Sequence, residues 1–138
     1  MAEKYPQYYV YEGKPVAFAE APDGGLFVWA LSPRTGEFEL DRSYVDKIWF
    51  GTTADIETVD RPEFVQRVEE YRARRLRGEG PVHALYETIN GLVDASRAEA
   101  RDLTPDEKAL VHTLRLRAHE LFEAELRAQG RQGTPGES

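Results

Sequence analysis

The sequence predicts an α+β domain: an antiparallel four-stranded meander, then a short helix, then three longer helices of which the last two form an αα-hairpin. Three observations carry this. Four β-prone runs between Tyr8 and Leu40 are separated by EGKP, APDGG and SPRTG. After Leu40 the apolar period lengthens from two to three or four. Two later segments open with strong helix-start chemistry, at Pro81 and at Thr104–Pro105–Asp106–Glu107.

Each strand has a local cause. Tyr8–Tyr11, Val16–Phe18, Leu26–Leu31 and Phe38–Leu40 are rich in aromatic and branched residues, which suit a pleated, half-buried surface. Gly13, Pro15, Pro22, Asp23, Gly24, Gly25, Pro33 and Gly36 supply the turns. Connections this short force antiparallel neighbours. In the third run Phe27, Trp29 and Leu31 alternate with Leu26, Val28 and Ala30, so both faces are apolar and a layer is expected on each side. The first strand places Tyr9 and Tyr11 on one face and Tyr8 and Val10 on the other. It reads either as an edge strand whose rings cover the core, or as an aromatic surface for a partner.

The helices follow in order. Tyr44, Val45, Ile48 and Trp49 mark one face of a short helix over about 42–50, with Asp41 as its N-cap. The crossover TTADIETV holds a brief extended piece at Ile56–Val59. Asp60, Pro62 and Glu63 start a helix whose stripe is Phe64, Val65, Val68, Tyr71 and Leu76, ending in Arg72, Arg74, Arg75 and Arg77. Pro81 opens a helix with Val82, Leu85, Tyr86, Ile89, Leu92, Val93 and Ser96 on one face. Gly91 inside it suggests close approach of a neighbouring backbone. The last helix runs to about Arg127 and is expected to bury Leu110, Val111, Leu114, Ala118, Leu121 and Phe122. One domain over 1–128 results, with 5–51 the meander and short helix and 60–128 the helical part. Residues 129–138 read as a disordered tail with nothing to bury.

Composition narrows function. The chain is 41% hydrophobic and 31% charged, which fits a globular protein and not wholesale disorder. No apolar run approaches the ~20 residues of a membrane span, and the first residues lack a secretory layout. With no cysteine, disulfides and zinc–thiolate sites are excluded, and a cytoplasmic location is expected. Only Lys4, Lys14, Lys47 and Lys108 among 18 basic residues are lysine, a bias of GC-rich bacterial genomes. The net charge of −7 repels phosphate backbones, which weighs against nucleic acid.

No catalytic pattern is present: no G-x-S-x-G, P-loop, H-E-x-x-H or dinucleotide fingerprint. His112, His119 and Glu123 project from one sector of the last helix, where His119 and Glu123 lie one turn apart at metal-sharing spacing. The plainer reading of that sector is a solvated polar face. Leu116 and Leu126 on it suggest an apolar strip for a partner.

Three function classes remain. The first is a non-catalytic accessory, adaptor, inhibitor or immunity-like protein of the bacterial cytoplasm, without cofactor, meeting a protein partner or its own copy through Tyr9, Tyr11, Leu116 and Leu126. The second is a ligand-binding protein or enzyme with a pocket between sheet and helices lined by Trp29, Trp49 and Tyr86. The third binds phosphate or RNA weakly through the arginine cluster, with Arg72 and Arg75 as contacts.

Overall fold

The computed structural model describes residues 4–51 and 55–136. Five strands, β1 (Gln7–Tyr11), β2 (Lys14–Glu20), β3 (Leu26–Leu31), β4 (Phe38–Leu40) and β5 (Ile56–Val59), form one antiparallel sheet in the order β4-β3-β2-β1-β5. Four helices complete the α+β fold: α1 (Ser43–Trp49), α2 (Arg61–Arg75), α3 (Pro81–Ala98) and α4 (Pro105–Ala128). The meander stands as expected, but the sheet has a fifth strand. The extended piece at 56–59 adds itself to the free side of β1, pairing Tyr8 with Val59 and Tyr11 with Ile56. β1 is therefore not an edge strand. The edges are β4 and β5, three and four residues long, too short to offer another chain much of a template.

The alternation read in β3 decides the layering. Trp29 and Leu31 join Tyr8, Ala17 and Phe38 under Phe64, Val68 and Tyr71 of α2. Val28 and Ala30 join Val16 and Phe18 under Tyr44 and Ile48 of α1 on the opposite face. A third apolar core lies outside α2, where Ala73 meets Val82, Tyr86 and Ile89 of α3 and Val111 and Ala118 of α4. The three long helices thus do not all lie on the sheet. α2 is the intermediate layer, and α3 and α4 pack on each other and on α2.

Helix ends follow local chemistry. Asp60 Oδ1 accepts from the Glu63 N–H at 3.0 Å to start α2. Thr104 and Glu107 complete a reciprocal capping box at α4. α1 begins one residue later than read: Arg42 is its N-cap, and Asp41 instead accepts from the Ser43 N–H at 3.0 Å. Gly91 meets no neighbouring atom, so no backbone approaches it. Leu110 is exposed rather than buried.

Two features tie the layers together. Gly36, in the β3–β4 turn with φ +73°, sits where an added Cβ would lie 2.6 Å from Leu76 Cδ1 and 3.1 Å from Phe122 Cζ, so the turn is inserted between α2 and α4. The stretch expected to bury nothing does the opposite at Thr134 and Pro135, which are both buried. Pro135 O accepts from Tyr8 Oη at 3.1 Å and from Arg61 Nη1 at 2.8 Å. Polar atoms, not apolar area, hold this segment, which is why its composition gave no sign of it.

Candidate functional site

The residues singled out in the sequence divide among three places. The first is a buried polar centre between α2, α3 and α4. Glu69 and Arg72 lie one turn apart on the same side of α2 as Val65 and Val68, so they enter the core with the apolar stripe. Both side chains are 0% exposed. Arg72 donates from Nε to Gly36 O at 2.8 Å, from Nη1 to Glu69 at 2.7 Å and from Nη2 to Glu123 at 3.1 Å. Its guanidinium lies 4.0 Å from the centre of the Phe122 ring. Glu69 also accepts from Tyr86 Oη at 2.7 Å and contacts His119 Nδ1 at 2.8 Å. Glu123 accepts from the Thr134 N–H at 2.7 Å and from Thr134 Oγ1 at 3.1 Å.

Burial pushes the Glu69 carboxyl upward, but adjacent Arg72, with hydrogen bonds from His119 and Tyr86, brings it below the ordinary carboxylate range. Burial, reinforced by the Glu69 charge, moves the Tyr86 phenol far above its ordinary value. An ionised Glu69 only accepts, so the proton of the imidazole contact sits on His119 Nδ1. The opposite nitrogen, Nε2, is out of solvent and without a partner among the described residues. A carboxylate–imidazole pair is the arrangement of a general base, yet here a substrate has no approach to Nε2. The centre therefore holds helices together.

This overturns three readings. His119 and Glu123 are not a solvated face, and both oxygens of Glu123 are occupied by protein donors. Among the described residues, no three of His, Asp and Glu gather as a metal site. Arg72 contacts no external phosphate, because it is enclosed by two carboxylates. Leu126 is 4% exposed and leaves Leu116 alone at the surface, so the two form no strip. The reason is that α4 packs along much of its length, with Val111, Ala118, Glu123 and Leu126 all inward. The signal that could have found the centre was Glu69-x-x-Arg72 in register with the apolar stripe.

The second place is the α1 face of the sheet. Seven residues of helix cannot cover it, and aromatic side chains remain in reach of solvent. The Tyr9 ring lies 5.1 Å from Phe18, and Phe18 lies 5.4 Å from Trp49. Burial raises the Tyr9 phenol above its ordinary value, while a hydrogen bond with Trp49 works the other way. Trp49 is 45% and Phe50 72% exposed. Tyr11 packs edge-on against Tyr44 at 5.5 Å and so belongs to the base of this surface. The apolar period puts Trp49 on the same helix face as Tyr44 and Ile48, yet it stays half exposed where those two are buried. The expected pocket of Trp29, Trp49 and Tyr86 does not form, because the three sit in different layers: α2 side, α1 side and outer core.

The third place is an open depression of about 680 Å³ lined by Arg67, Glu70, Tyr71, Arg74, Arg75 and Arg97, with Gly13 at its edge. Arg67 makes a two-point contact with Glu57, at 3.0 and 3.1 Å. Arg74 reaches Asp94 at 2.9 Å. The Arg75 guanidinium lies 3.8 Å over the Tyr71 ring. Of the two arginines expected to meet phosphate, Arg75 is placed here and Arg72 is not.

No helix among the described residues is long and apolar enough to cross a membrane. The chain matches no protein-family model, no curated protein and no solved structure.

Proposed function

We propose that the protein is a non-catalytic interaction module of the bacterial cytoplasm that recognises a protein partner through the aromatic surface beside α1. The observation that carries this is that Tyr9 and Trp49 pack on the buried Phe18 ring while Trp49 is 45% and the adjacent Phe50 72% exposed. Large aromatic side chains dominate binding energy at interfaces when a partner desolvates them. The chemistry of the partner follows from charge. Residues 1–60 carry 5 basic and 11 acidic side chains, a net −6. The partner fitting this surface presents an apolar centre with a basic rim, which speeds encounter at low salt. The assignment to a bacterial cytoplasm rests on the arginine-over-lysine bias and the lack of cysteine.

The test is purification of the tagged protein from its host at low salt, in parallel with Phe50→Asp. Phe50 is so exposed that this substitution leaves the melting temperature unchanged. The wild type should recover a stoichiometric partner that elevated salt releases and that the variant does not recover. Equal recovery by both proteins, or a lone monomer from the wild type, overturns the reading.

A further inference from the structure

We infer that the arginine-lined depression between the β1–β2 turn, α2 and α3 is a binding site for a small phosphorylated molecule. Two helix ends explain part of the basic charge: Arg74 and Arg75 close α2, and Arg97 lies in the last turn of α3, where cations offset the helix dipole. Arg67 and Arg115 have no such reason, being mid-helix in α2 and α4. Arg115 is not part of the lining but borders it. It lines an adjoining hollow with Glu70, Arg74 and Arg97, and a second with Glu63, Arg67 and Lys108. Burial lowers its pKa, and its Nε is out of solvent with no hydrogen-bond partner among the described residues. With no carboxylate in ion-pair contact among the described residues, Arg115 adds positive potential beside the depression that an entering oxyanion would meet.

The lining itself carries four arginines against one carboxylate, Glu70. Glu57 and Asp94 hold Arg67 and Arg74 in fixed orientations. Glu63 and Glu70 make further contacts to Arg67, at 3.8 and 3.4 Å. Arg75 and Arg97 form no ion pair among the described residues, so their forks remain available. Converging forks suit the several oxygens of a phosphate better than the single edge of a carboxylate. The volume fits a metabolite-sized ligand. A long polyanion is disfavoured, because the chain as a whole carries −7.

The experiment is calorimetric titration of the full chain with inorganic pyrophosphate at low ionic strength, beside citrate and a homopolymeric RNA. Arg97→Gln is the first variant, since Arg97 is exposed and outside every core, and Arg115→Met the second. Pyrophosphate should bind the wild type and bind each variant about tenfold more weakly or worse, at unchanged melting temperature for Arg97→Gln. Absence of binding, equal binding by the variants, or citrate or RNA binding as tightly as pyrophosphate would each overturn the inference. The aromatic surface lies on the other side of the sheet, so loss of one site leaves the other untested by the same variant.

Discussion

Replacing Arg72 with methionine removes the one cation between Glu69 and Glu123. The side chain is close in length and keeps contact with Phe122, so the change is chiefly electrical. Three donated hydrogen bonds disappear, to Gly36 O, Glu69 and Glu123. Two carboxylates, 0% and 3% exposed, stay behind. Removing one member of a buried ion pair costs about 3–5 kcal/mol. Two stranded carboxylates argue for the top of that range; the donors retained by Glu69 from Tyr86 and by Glu123 from Thr134 argue for the bottom. A loss of about 4 kcal/mol at neutral pH follows, a large part of the ~5–15 kcal/mol that holds a typical domain. In urea unfolding followed by circular dichroism, with a slope near ~2 kcal/mol/M, the midpoint falls by about 2 M. The pH dependence identifies the cause. Glu69 in the wild type is held below its ordinary value of 4.5. Its contribution is present above that pH and is lost as pH falls through the lower folded value. In the variant only the Tyr86 and His119 contacts still oppose burial, Glu69 takes up a proton more readily, and the deficit shrinks as pH is lowered towards about 4.5. A deficit below ~1 kcal/mol at neutral pH, or one that is the same at both pH values, would refute the reasoning.

Two further outcomes are expected from stability measurements. Gly91→Ala should stabilise the protein by ~0.5–1 kcal/mol, because the position is helical, exposed and free of neighbours; a destabilised variant in urea unfolding would mean that α3 has a contact on that side. Thr134→Val removes the hydroxyl that donates to Glu123 but keeps the backbone N–H, and should cost about 1–2 kcal/mol. No change in its unfolding midpoint would show that residues 131–136 do not contribute to the core.

What the sequence revealed was what neighbouring residues decide. The meander, the helix starts at Asp60 and Thr104 and the opposite faces of β3 each depend on a few adjacent side chains. β5 was visible only as a short extended piece, since its pairing with β1 joins residues far apart in the chain. The polar centre was hidden for a related reason. Whether Glu69 and Arg72 are buried depends on where α4 delivers Glu123 and His119, and helical period alone does not fix how three helices align. Trp49 shows the converse. Period placed it on an apolar face, but with only seven residues α1 leaves part of that face uncovered. Composition gives no sign of the burial of Thr134, because a carboxylate and not an apolar side chain holds it.

The reach of these polar contacts along the chain orders events during synthesis. The hairpins of β1 to β4 join near neighbours and can pair without the later helices. Glu69 and Arg72 meet early on one helix, but Glu123 lies 51 residues beyond Arg72, and Pro135 lies 127 beyond Tyr8. Until those late residues leave the ribosome, Arg72 lacks its second carboxylate and the Tyr8 hydroxyl its carbonyl acceptor. The contacts that join the sheet to the outer helices are thus completed only after Glu123 and Pro135 have been made.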